Sequence, residues 1–115
     1  MSAKIDTVLV FGLLRSGFPT KRAILLRCQK MKHFGSCSAH DEQIDGPITL
    51  TLNKDSDRDM QVDTLMHEFA HAIIYDAGDF SGKHDSNWGI CYAKIYDYVI
   101  QNYVKSKLFD KKFKK

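Results

Sequence analysis

The chain has 115 residues, 43% of them hydrophobic and 27% charged, with seven Phe, five Tyr and one Trp, which suits one soluble globular domain and leaves no room for a second. Its net charge of +3 is unevenly spread: residues 105–115 hold six Lys against Asp110, a local +5, so residues 1–104 carry about −2. Cys28, Cys37 and Cys91 are odd in number and widely spaced, which excludes a disulfide framework and a Cys-x-x-Cys metal knuckle; buried small hydrophobes in a reducing cytoplasm are expected instead.

Val8 to Leu14 is too short an apolar run to span a bilayer and is broken by Gly12. Asp6 stands where a secretory signal would be positive, and no small-residue cleavage site follows. A cytoplasmic protein with no membrane contact is therefore expected, a monomer by default. Divided in two, the chain is a single domain over 1–104 and a basic tail over 105–115. Such a tail is the footprint of a phosphate-bearing partner such as DNA, and equally the look of a solvated terminus; both readings stand.

Apolar residues recur at helical spacing from Ile5 to Arg15, and Ser16-Gly17-Phe18-Pro19 ends the run, predicting a first helix. Ala23 to Cys28 fits either a strand or a helix, because so short a run does not fix a period. Gly35 to His40 predicts a short strand, and Asp41 to Gly46 a polar turn. From Pro47 to Asn53 the chain alternates, with Ile48, Leu50 and Leu52 on one face and Thr49 and Thr51 on the other, the pattern of a strand. Pro47 lacks an amide donor and suits a strand start or a sheet edge. Ser56-Asp57-Arg58-Asp59 can cap a long helix continued by Met60, Leu65, Met66, Phe69, Ala70, Ile73 and Ile74 up to Ala77-Gly78. After a polar loop over Asp79 to Lys83, Asp85-Ser86-Asn87 can cap a last helix from Trp88 to Val104. The sum is an α+β domain: an antiparallel sheet of about three strands packed on the long helix, with one helix before and one after.

Inside that long helix stands His67-Glu68-Phe69-Ala70-His71. Residues four apart lie on one helical face, so His67 and His71 can offer two imidazole nitrogens to one metal ion. Glu68, about 100° further round, is poorly placed as a ligand but well placed to hydrogen-bond a water on that ion. This is zinc-hydrolase geometry. Left without a metal on a buried face, Glu68 would carry a desolvation cost of several kcal/mol.

Catalytic zinc normally takes three protein ligands. His84 is the best third candidate: twelve residues separate it from His71, enough for the chain to double back, and it precedes a capped helix. Asp76, Asp79 and Asp85 are weaker candidates, while His33 and His40, flanked by polar positions, are expected at the surface. The extended pattern His-Glu-x-x-His-x-x-Gly-x-x-His is absent, since Ile74 and Ala77 occupy its Gly and last His positions. Tyr92 and Tyr96 are each candidates for an oxyanion donor, with a core role as the plainer alternative.

These residues resemble the SprT-like metalloproteases, which include the Spartan DNA-protein crosslink proteases. The likeness runs through Gly35-Ser36-Cys37-Ser38, Ile48-Thr49-Leu50-Thr51-Leu52, Leu65-Met66-His67-Glu68-Phe69-Ala70-His71-Ala72 and Lys83-His84-Asp85-Ser86-Asn87-Trp88, the last set against the family's Gly-His-Gly-x-x-Phe/Trp. It departs at Lys83 and Asp85, where the family has Gly, and in lacking the four Cys of a C-terminal zinc ribbon. The resemblance implies a zincin-like fold, one zinc ion held by His67, His71 and His84, Glu68 as catalytic acid/base, and protein substrates associated with DNA. A zinc-stabilised DNA-associated binding protein without proteolytic activity is the alternative, and a metal-free helical module using the Lys tail a third reading. The strand Ile48 to Leu52, if exposed at an edge, would take an extended peptide by strand addition.

Overall fold

In the computed structural model, residues 2–39, 46–78 and 83–104 are described. Helix α1 spans Ser2–Gly17, β1 Ile24–Gln29, β2 Gly35–Ala39, β3 Ile48–Asn53, α2 Arg58–Asp76 and α3 Ser86–Val99. The described part is thus α+β, as the hydrophobic periods predict.

Thr7, Val10 and Leu14 point α1 into the core at helical spacing, and Phe18 N–H closes its last turn on Leu14 O at 2.8 Å. The ambiguous run after it is a strand. Its first residue, Ile24, is buried, whereas Leu25 is 49% exposed, the half-buried alternation of a strand at the rim of a sheet.

The sheet corrects two expectations. It is mixed rather than antiparallel, with order β1-β3-β2: β1 runs parallel to β3 (Ile24 opposite Ile48, Cys28 opposite Leu52), and only β2 is antiparallel to it (Gly35 opposite Leu52, Ala39 opposite Ile48). The chain goes out along β1, returns along β2, and then inserts β3 between them, so β1 and β3 share a direction. Consequently Ile48 to Leu52 is the central strand and cannot receive an added peptide. Pro47 sits just before its first ladder residue, and Ile48 N–H donates to Ala23 O at 2.8 Å.

Asp57 starts α2 by accepting the Met60 N–H at 2.8 Å, and Gly78, with φ +103°, turns the chain away after Ala77. Helix α2 packs against α1, α3, β2 and β3. Its Leu65, Met66, Phe69, Ala70 and Ala72 are buried together with Ile48, Leu50 and Leu52, forming the core. At Gly35 the sheet and helix touch: a Cβ there would meet Thr64 Cγ2 at 2.5 Å and Thr51 O at 2.8 Å, so only glycine permits this approach.

Asp85 caps α3, accepting the Trp88 N–H at 3.1 Å, and the helix begins two residues before the expected Trp88 and widens into a π-helical turn over Ile100–Val104. The three cysteines are free, but Cys28 is exposed on the edge strand and Cys37 and Cys91 are half-buried, so the expectation of three buried thiols is overturned. Among the described residues no helix is long and apolar enough to cross a membrane. The polar turn at 41–45, His40, most of the loop 79–83 and the tail 105–115 lie outside the described residues.

Candidate metal centre

One face of α2 presents His67 and His71, four residues apart, while the segment leading into α3 presents His84. His84 Nε2 lies 3.1 Å from His71 Nε2 and 3.2 Å from His67 Nε2, and the three ligand atoms all fall within 4.8 Å of one another. Three histidines are therefore close enough to bind one metal ion. Zinc-nitrogen bonds of about 2.0–2.1 Å in a tetrahedron put ligand nitrogens about 3.3 Å apart, and the two separations from His84 are close to that edge. Hydrogen bonding alone does not satisfy the cluster, because a single N–H on His84 can serve only one of its two neighbours. The other contact is then left without a hydrogen bond of its own, whereas a cation can take a lone pair from each of the three rings.

The electrostatics favour neutral imidazoles. Burial, and then the nearness of His67 and His84, lowers the pKa of His71 from 6.5 to about 4. Burial also lowers that of His67, helped by His84 and opposed by the Asp63 carboxylate. Both rings thus keep a lone pair to donate at neutral pH. Glu68, 9% exposed on the same helix, has its carboxyl pushed from 4.5 up to about 7 by burial.

Trp88 is the main packing partner of the trio. Its ring centroid stands 4.5 Å from that of His84, 4.9 Å from His67 and 5.4 Å from His71. Tyr92 stacks on Trp88 at 5.1 Å with the planes 7° apart. The Trp88 Nε1 is buried without a partner among the described residues, a vacant donor in the wall of the cluster. Tyr92 OH donates to Asp63 Oδ1 at 2.9 Å, and its pKa is raised to about 12, by burial first and then by this bond and the Asp63 charge. Sequence reasoning missed Asp63, and it named Trp88 as the last residue of the Lys83-to-Trp88 segment without giving it a role at the site. Four residues before His67 on α2, Asp63 stands at the same helical spacing that picks out the histidine pair.

The other candidates separate clearly. Asp76 accepts the backbone N–H groups of Lys21 and Arg22 at 3.0 and 2.9 Å, tying the segment before β1 to the end of α2. Asp85 is occupied as the cap of α3, and Asp79 and His40 lie outside the described residues. His33 is exposed, as expected, yet with Phe34, Met60, Asp63 and Thr64 it lines a cavity of ≈430 Å³ that His67 and Glu68 also line. Tyr96 is exposed one turn beyond Tyr92, its ring 6.3 Å from that of Tyr92.

Comparison with protein-family models, with curated proteins and with solved structures finds no match to this chain.

Proposed function

We propose that the chain is a zinc-dependent metallopeptidase of the SprT-like kind, zincin-like in fold, that hydrolyses peptide bonds in DNA-associated proteins. The observation that carries this reading is the meeting of three imidazole nitrogens beside a buried carboxylate on the same helix. When bound by His67, His71 and His84, zinc supplies Lewis acidity and brings the pKa of a water down to about 7.

The chain's own residues do the rest. The depressed pKa values of His67 and His71 keep them neutral and ready to ligate. Glu68, buried on the same helix next to His67, is placed to accept a proton from the attacking water and then return it to the leaving amine. Of the two tyrosines, Tyr92 is the better donor to a developing oxyanion, since its ring lies 6.1 Å from that of His67, but its hydroxyl must first leave Asp63. With β3 enclosed, the outer side of β2 is the strand edge beside α2, where Ser36 and Ser38 are exposed, and we assign it the role of laying out an extended substrate. Contact with DNA is assigned to the Lys-rich tail.

The test is a cleavage assay on a DNA-binding protein, with and without single-stranded DNA, paired with zinc analysis of the native and Glu68→Gln chains. The native chain should cleave, and Glu68→Gln should keep its zinc while losing about 10²–10⁴-fold in rate. Zinc retained by a native chain that cleaves nothing would instead support the zinc-stabilised binding protein.

A further inference from the structure

The cavity of ≈430 Å³ against the metal site is large enough for a whole side chain, and its walls carry a chemical preference. Met60, half-exposed Phe34 and Thr64 provide apolar surface along its length. Asp63 provides a carboxylate whose Oδ1 accepts the Tyr92 hydroxyl, and Glu68 is also part of the lining. Among the described residues no Lys or Arg lines it. Moreover Asp59, Asp63, His67 and His71 recur every four residues along α2, so two carboxylates continue the row that holds the two ligands.

From this arrangement we infer that the cavity is the recognition pocket for a basic side chain, Lys or Arg, next to the bond that is cut. The aliphatic stem lies along Met60 and Phe34 while the cationic head reaches Asp63. A neutral apolar side chain would cover Asp63 without compensating its lost hydration, and an acidic one would face two carboxylates. Selection by charge thus follows from the pocket itself. The inference rests on the peptidase reading, because it supplies the substrate class of that same site.

The experiment uses zinc-loaded protein and a set of internally quenched peptides identical except at one position near the cleaved bond, filled in turn by Lys, Arg, norleucine or Glu. Lys and Arg peptides should exceed the norleucine peptide about three- to tenfold in kcat/KM, and the Glu peptide should be the poorest. Asp63→Asn removes the charge while leaving an acceptor for Tyr92, and should bring the Lys-to-norleucine ratio to about one. Met60→Trp, which fills the cavity, should depress all four; zinc content equal to the native value shows that each variant is folded. Anisotropy of the labelled Lys and norleucine peptides on zinc-loaded Glu68→Gln gives the same ratio without turnover. Equal cleavage of all four peptides overturns the pocket assignment and leaves the peptidase standing. No cleavage of any peptide, with the Lys preference kept in binding, overturns the peptidase and supports the pocket.

Discussion

Glu68 sits where its charge is poorly solvated, and that has a measurable consequence before any substrate is present. Burial holds its carboxyl near pH 7 in the folded chain, against an ordinary 4.5. Between those values the unfolded chain has released the proton and the folded chain has not. The metal-free protein therefore loses stability as pH rises from about 4.5 to 7, and the loss is complete above 7. His71 acts in the opposite sense: its pKa falls from 6.5 to about 4, so stability drops as pH falls through that window. Glu68→Gln isolates the first effect. In metal-free form it should be more stable than the native chain by about 1–3 kcal/mol at pH 8, and no different below pH 4, as read by urea denaturation. Equal stabilities at pH 8 would mean that the carboxylate is solvated. At this scale the sequence was informative where spacing is short: His67, Glu68 and His71 follow from one helical turn. Asp63 escaped because a carboxylate at the same spacing is unremarkable until the third histidine is in place, and Trp88 was named without a role because a sequence does not show which rings an indole will touch.

At the scale of elements, alternation located β3 but misjudged its surroundings. A period of two tells which side chains face the core, and nothing in Ile48 to Asn53 tells which strands lie on either side. That is decided by the route of the chain, which returns along β2 before β3 enters the gap. The loop between β1 and β2 is pinned by Asn53, whose Nδ2 donates to Met31 O and His33 O at 3.1 Å and whose N–H donates to Phe34 O at 2.9 Å. The cavity wall is thereby fixed to the end of the central strand. Gly35 closes the same corner. Gly35→Ala should destabilise the fold by about 1–3 kcal/mol, less in a Thr64→Ser background that removes the nearer obstruction, as a double-mutant denaturation cycle would record. Additive effects in that cycle would place the strain at Thr51 O alone.

Taken whole, the molecule is a set of elements laid round α2, which contributes to the core, the cavity and the candidate metal centre at once. The third histidine comes from beyond the end of that helix, brought back by the turn at Gly78 and held by the capped start of α3. A bound ion would join α2 to the segment before α3, so metal at a hundredfold excess over its dissociation constant would add about 2.7 kcal/mol to stability. Zinc analysis of the purified native chain beside His84→Ala, at one fixed free-zinc concentration, tests this most directly. About one zinc per chain is expected for the native protein, with occupancy falling more than about tenfold on removal of His84. A native chain without zinc, or one whose zinc is untouched by His84→Ala, would contradict it.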